Sequence, residues 1–120
     1  MKVYIHPKCS TCRKAVDWLE SKKLEFKSID IREFPPTEKE LKKALATASK
    51  PTAVFNTSGQ LYREQGLKDR LPNLNQKEVI ALLRNEGMLV KRPFLVTGDL
   101  VLTGFKESQW LSYVNTLPAS

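Results

Sequence analysis

The chain has 120 residues, of which 41% are hydrophobic and 28% are charged. This length and composition suit one folded domain, residues 1–120. The sequence contains no apolar run near the roughly 20 residues that a membrane span needs. Lys and Arg number 20 against 13 Asp and Glu, a net charge of +7, but these charges form no basic stripe interleaved with aromatic residues. Because the charges form no such stripe, we expect no direct nucleic-acid contact. The N-terminus becomes polar too soon for a signal peptide, so we expect a cytoplasmic protein without membrane contacts, and we expect it to be a monomer.

The N-terminal quarter predicts a strand, a helix and a second strand. Residues 2–6 alternate as a short strand, which Pro7 ends. Ser10 or Thr11 can cap the helix that follows, and its apolar residues recur at helical spacing: Cys12, Ala15, Val16 and Leu19. Residues 24–31 read as the second strand, with an irregularity at Ser28. This βαβ unit places both cysteines of the chain at its first turn.

The middle of the chain predicts helices. Pro35 and Pro36 break the chain, and Thr37 with Glu40 forms a capping-box pattern that opens a helix. Between residues 51 and 71 the signal is weak and predicts two short helices separated at Gly59. Residues 75–87 predict another helix, which begins with a second capping-box pair and ends at a glycine: Asn75, Glu78 and Gly87.

The C-terminal part predicts a hairpin and a last helix. Two apolar runs, Phe94–Thr97 and Leu100–Thr103, flank a Gly-Asp pair that is typical of a two-residue hairpin turn. Residues 107–114 have the pattern of an amphipathic helix. The order βαβ, helices, ββα predicts an α/β, thioredoxin-like fold with a four-stranded mixed sheet and a helical insertion.

The turn Cys9-Ser10-Thr11-Cys12 is the main candidate site. Cys9 lies at or just before a predicted helix N-terminus, where unpaired N–H groups and the helix dipole stabilise a thiolate. Lys8 and Arg13 add positive charge nearby. Cys12 lies one turn into the helix on its apolar side and suits a resolving thiol, which attacks a mixed disulfide on Cys9 and releases the partner.

Other interpretations of these residues are weaker. A zinc site usually needs four ligands, and His6 is the only histidine beside two cysteines, so we expect no metal and no cofactor. Cys12 alone could be an inert core cysteine, but Cys9 follows a polar turn where burial has no evident purpose. His6 either approaches the sulfur of Cys9 or simply ends the strand, and the sequence favours the second role. A CxxC turn in a βαβ context indicates redox chemistry.

Four segments resemble the arsenate reductase (ArsC) family, which includes the Spx-type regulators. Residues 6–15, HPKCSTCRKA, are similar to its active-site segment. Residues 55–59, FNTSG, followed by Tyr62 and Arg63, resemble the mid-chain motif of small uncharacterised ArsC-like proteins of Gram-positive bacteria. Residues 87–93, GMLVKRP, resemble the late Arg-Pro motif of the family. Residues 104–105, Gly-Phe, resemble the closing hairpin of the family. The resemblance implies a thioredoxin-like fold with a helical insertion.

The resemblance also implies roles for individual residues. In glutaredoxin-coupled arsenate reductases a cysteine attacks arsenate while several arginines hold the oxyanion; Cys9 matches the cysteine and Arg92 one arginine. The other two arginine positions correspond to residues 50–53 and 102–104, which contain no arginine. Pro93 corresponds to the cis proline that faces the redox turn, and we assign Thr11, Arg92 and Pro93 to substrate binding. We therefore expect weak or absent arsenate reduction.

Two functions follow from the resemblance. One is a thiol-disulfide oxidoreductase with Cys9 as nucleophile and Cys12 as resolving thiol, supplied by a thiol donor such as glutathione, glutaredoxin or thioredoxin. The other is a redox-sensitive regulator that binds the RNA polymerase α-subunit as Spx does, which the basic charge and the CxxC turn also suit. The FNTSG segment favours the first, because it looks more like the uncharacterised branch than the regulators.

Overall fold

Four short strands form one mixed sheet in the computed structural model, which describes residues 1–116. They are β1 (Lys2–Ile5), β2 (Lys27–Asp30), β3 (Phe94–Thr97) and β4 (Leu100–Thr103). Their order is β2-β1-β3-β4; β1 and β2 are parallel, and the other two pairs are antiparallel. The predicted α/β, thioredoxin-like fold with a four-stranded mixed sheet is confirmed.

Six helices surround the sheet within the described residues: α1 (Ser10–Ser21), α2 (Glu38–Thr47), α3 (Gln60–Glu64), α4 (Leu67–Arg70), α5 (Gln76–Asn85) and α6 (Glu107–Thr116). Helices α2 to α5 make up the predicted insertion between β2 and β3, with 3-10 turns at Pro51–Val54, Leu71–Asn73 and Gly87–Leu89. No helix in this part of the chain is long and apolar enough to cross a membrane.

The sheet carries a core on each face, because successive side chains of a strand point to opposite sides. Tyr4 and Phe94 pack on one face with the insertion helices, and their rings meet edge to face at 5.7 Å. Val3 and Leu95, each one residue away, pack on the other face with residues of α1 and α6. Helices cover both faces of the sheet, so the ends of its strands are the part left open for a functional site.

Two predicted boundaries differ from the structure. Strand β2 begins at Lys27 rather than at residue 24, because Leu24 and Phe26 pack against the core of α1 and α6 before pairing starts. Helix α5 ends at Asn85, and Gly87 opens a 3-10 turn instead of ending the helix. Both predicted capping boxes, at Thr37 and at Asn75, are present.

The parallel pairing of β1 and β2 brings two chain reversals to one edge of the sheet. Ile5 pairs with Asp30, and the Ile31 amide donates to the Ile5 carbonyl at 2.9 Å. The residues that follow β1 are His6 to Cys9, and those that follow β2 are residues 31–34. The carboxyl ends of the two strands thus place these segments side by side.

Candidate functional site

Cys9 is itself the N-cap of α1, so the prediction of Ser10 or Thr11 as the cap is wrong. Its backbone is extended, with φ −88° and ψ 117°, and its Sγ accepts the Cys12 amide N–H at 3.3 Å. The Cys9 carbonyl accepts the Arg13 amide at 3.1 Å, which is the first bond of the helix. The sulfur therefore takes the place that a serine or threonine oxygen usually occupies.

The surroundings of Cys9 favour its thiolate. Partial burial raises the pKa of the thiol, but hydrogen bonds from the Cys12 thiol and amide, the charge of Arg92 and the Thr11 amide lower it more. The net pKa of Cys9 lies below that of an ordinary cysteine. Cys9 is also partly exposed, so that a reaction partner can reach its sulfur.

Cys12 has the opposite environment. Cys12 is only 1% exposed, and its pKa is raised to about 12, mainly by burial. The hydrogen bond that its thiol donates to Cys9 and the negative charge of the Cys9 thiolate contribute to this increase, and a backbone hydrogen bond with His6 and the charge of Arg92 oppose it. At neutral pH the pair therefore consists of one activated sulfur and one protonated sulfur next to it. This asymmetry separates an attacking thiol from a resolving one.

Arg92 lies close enough to this turn for its charge to act on both sulfurs, and Pro93 follows it in the chain. The peptide bond between them is cis, as the resemblance implies. Arg92 donates from Nη1 to the Met88 carbonyl at 3.3 Å, and its charge lowers the pKa values of Cys9, Cys12 and His6. The Pro93 carbonyl accepts the Gly104 amide at 2.8 Å and is thereby already used within the fold.

Thr11 and His6 contribute to the turn in different ways. Thr11 is exposed and supplies its backbone amide to Cys9. His6 Nδ1 accepts the Lys8 amide at 3.0 Å, and the His6 carbonyl accepts the Cys9 amide at 3.1 Å. These bonds hold the loop between β1 and α1. His6 thus has a structural place at the end of a strand, the role that the sequence favours.

The charges around His6 are mainly positive. Burial lowers the pKa of His6, the charges of Arg92 and Arg32 lower it further, and Asp30 raises it by less. Arg32 has no local sequence signal, because only the register of β1 and β2 brings it close enough to act on His6. Met88 lies in the GMLVKRP segment, but its role was not predicted: its carbonyl and sulfur accept hydrogen bonds from Arg92. The proximity of Met88 to Arg92 in the sequence was the available signal.

The two segments without arginine are in contact. Thr103 donates from Oγ1 to the Ala53 carbonyl at 3.2 Å. At the two positions where the resemblance implies arginines, this chain therefore has a hydrogen bond between a hydroxyl and a carbonyl. Among residues 1–116, no group of three or more His, Cys, Asp or Glu side chains is placed to hold a metal ion.

The titration of Cys9 is a testable consequence of this geometry. Because the pKa of Cys9 is lowered, alkylation of the reduced protein by iodoacetamide should reach half its maximal rate at a lower pH than for an ordinary cysteine. Arg92→Ala removes a cation that favours the thiolate, so this midpoint should rise. Rates measured from about pH 5 to pH 9 span the ordinary cysteine value.

Arg70→Ala is the matched control, since Arg70 lies in α4 and its guanidinium binds the Gln65 carbonyl instead. It removes the same charge from the chain and should leave the midpoint in place. Equal midpoints in the wild type and Arg92→Ala would contradict a role of Arg92 at the sulfur.

The mixed sheet, the helix capped by the first cysteine of a CxxC turn and the cis proline before β3 define a protein of the thioredoxin-like class. The model of the ArsC family matches residues 4–113. The chain belongs to the ArsC family.

Similar proteins include both uncharacterised and regulatory ones. The chain is 44% identical to the uncharacterised protein YusI of Bacillus subtilis, over 89% of this chain and 92% of that protein. It is 28% identical to the global transcriptional regulator Spx of Streptococcus pneumoniae, over 89% of this chain and 80% of the regulator. An ArsC family related protein from Bacteroides fragilis superposes with a TM-score of 0.85 at 40% identity, covering 92% and 94% of the two chains.

The family and these relatives support a role either in thiol oxidoreductase chemistry or in regulation of the Spx type.

Proposed function

We propose that the protein is a thiol-disulfide oxidoreductase in which Cys9 is the nucleophile and Cys12 the resolving thiol. The observation that carries the proposal is the hydrogen-bonded pair of unlike sulfurs. Cys9 is accessible and has a lowered pKa, and Cys12 is buried with a pKa of about 12. Two cysteines that only fill the core would not require different exposure or different pKa values.

The reaction has two exchange steps. The Cys9 thiolate attacks one sulfur of a substrate disulfide, forms a mixed disulfide and releases the first substrate thiolate, which takes up a proton. Cys12 then loses its proton and attacks Cys9, which forms the Cys9–Cys12 disulfide and releases the second substrate thiol. The substrate disulfide is reduced to two thiols, and the protein is oxidised by the same two electrons.

The neighbouring residues have supporting roles in this proposal. Arg92 stabilises the Cys9 thiolate and attracts an anionic substrate, and the Thr11 amide donates to the sulfur. Pro93 lines the approach to the turn, although its carbonyl is engaged with Gly104. Glutathione, glutaredoxin or thioredoxin is the thiol donor that reduces the disulfide and returns the protein to its starting state.

The regulator is the alternative, because relatives at 28% identity are global transcriptional regulators and the chain has a net charge of +7. A glutathione-coupled assay with hydroxyethyl disulfide and a pull-down with the RNA polymerase α-subunit separate the two functions. Turnover that depends on Cys9, without capture of the α-subunit, is the expected result. Specific capture of the α-subunit without turnover would favour the regulator and contradict our proposal.

Arsenate reduction should be slow or absent. The resemblance supplies one oxyanion-holding arginine, Arg92, and the other two positions hold the Ala53 and Thr103 contact instead. Each lost charge-assisted contact costs about 1.5–3 kcal/mol, or one to two decades in rate or affinity. A glutathione- and glutaredoxin-coupled assay with a dedicated arsenate reductase as reference checks this, and comparable turnover would contradict it.

A further inference from the structure

Arg32 is an anchored cation that the mechanism above does not use, on the turn after β2 that lies alongside the loop from His6 to Cys9. Its guanidinium donates from Nε to Asp30 Oδ1 at 3.1 Å and from Nη2 to Asp30 Oδ2 at 2.8 Å. The Arg32 backbone amide donates to the same Oδ1 at 2.9 Å. The two bonds from the guanidinium to one carboxylate fix the plane and direction of the guanidinium, and the bond from the backbone amide holds the carboxylate in place.

The fold brings this cation to the site through strand pairing. Asp30 is the partner of Ile5 in the parallel register, and His6 follows Ile5 directly. The carbonyl of His6 in turn accepts the amide of Cys9. The charge of Arg32 acts on His6 more strongly than those of Asp30 and Lys8, and only the charge of Arg92 exceeds it.

The charges of three cations from separate segments therefore act on His6. Lys8 comes from the loop after β1, Arg32 from the turn after β2 and Arg92 from the segment before β3. Two carboxylates, Asp30 and Glu33, also face Arg32. Asp30 occupies Nε and one proton of Nη2 and leaves the Nη1 amino group, and the Arg32 side chain is 46% exposed. A ligand in solvent can reach that remaining edge.

We infer that Arg32 is a specificity-determining residue that favours small disulfides carrying a carboxylate over neutral and cationic ones in their reaction with Cys9. The inference rests on the proposed function. Arg92 and Lys8 attract an anion to the turn, and Arg32, held by Asp30, binds the carboxylate of the incoming disulfide with its free edge. Asp30 positions the guanidinium and does not touch the substrate. Bond making and breaking are those of the two exchange steps above.

Three small disulfides of different charge test the inference. Reduced protein is mixed with glutathione disulfide, which is anionic, with hydroxyethyl disulfide, which is neutral, or with cystamine, which is cationic. The rate constant for loss of protein thiols is measured for each. In the wild type the anionic disulfide should react faster than the neutral one, and the cationic disulfide should be slowest.

Arg32→Ala should lower the ratio of the anionic to the neutral rate constant by about five- to tenfold, the effect of one partly exposed charge-assisted contact. The neutral rate constant should not change, because Arg32 does not act on the chemistry of the sulfurs. Arg32→Lys should restore part of the ratio, since it returns the charge without the bidentate geometry. Arg70→Ala, which removes a distant arginine, should change the ratio by less than about twofold.

The failures of the two proposals are distinguishable. A ratio that is the same in the wild type and Arg32→Ala, or that falls equally in Arg70→Ala, overturns the role of Arg32 while leaving the exchange chemistry intact. A wild type that reacts with none of the three disulfides overturns the proposed function and this inference together. Circular dichroism of each variant verifies the fold, which these exposed substitutions should preserve.

Discussion

Cys9→Ser should reduce the rate of reaction with any disulfide by at least about a thousandfold, because a serine hydroxyl is neither ionised nor nucleophilic at neutral pH. Cys12→Ser should instead retain the first exchange step. Its product, a mixed disulfide between Cys9 and half of the substrate, should accumulate because no resolving thiol remains. Rapid mixing with hydroxyethyl disulfide, followed by mass spectrometry of the intact protein, measures both effects.

The two serine variants are controls for each other, since each removes one sulfur and adds one hydroxyl. An inert Cys9→Ser beside a Cys12→Ser that accumulates the adduct assigns the two roles. The reverse pattern, with adduct on Cys12 in Cys9→Ser, would show that the roles of attacking and resolving thiol are exchanged. Equal reactivity of both variants would contradict an asymmetric pair.

Gly87→Ala should destabilise the fold by about 3 kcal/mol or more, because a Cβ at this position would overlap the carbonyl oxygen of Ile31 and lie 3.0 Å from its carbon. Both are backbone atoms, so no side chain can rotate away. The displaced turn includes Met88, whose carbonyl and sulfur hold Arg92. Urea unfolding followed by tryptophan fluorescence measures the change in the free energy of unfolding.

Gly66→Ala is the comparison for this prediction. Gly66 has φ +59°, but outside its chain neighbours no atom lies within 4 Å of the place that an alanine methyl would take, so alanine there costs only the backbone strain of about 1 kcal/mol. A larger loss at Gly66 than at Gly87 would contradict the claim that close approach to Ile31, rather than backbone conformation, makes Gly87 necessary.

Local chemistry made much of the fold predictable from sequence. Thr37 and Asn75 each stand three residues before a glutamate, and both capping boxes form as that spacing indicates. The Gly98-Asp99 pair lies between two apolar runs and produces the β3–β4 hairpin. In these segments the residues that determine the structure are close together in the chain, so a short window contains the whole signal.

Features that depend on tertiary contacts were not predictable in the same way. Ser10 and Thr11 are better capping residues than cysteine, yet the extended backbone at Cys9 makes its sulfur the cap. Gly87 has the pattern of a helix end, but its actual constraint is the carbonyl of Ile31. Arg32 reaches the site only through the pairing of β1 with β2, which no local pattern encodes.

Oxidation of the wild-type protein with diamide tests the central claim, a dithiol switch within one chain, most directly. Proteolysis and mass spectrometry of the oxidised protein should show the peptide containing Cys9 and Cys12 lighter by two hydrogens, with no covalent dimer on a non-reducing gel. The monomer should regain both thiols on reduction. Oxidised protein that consists of intermolecular dimers through Cys9, with Cys12 still a free thiol, would contradict the account.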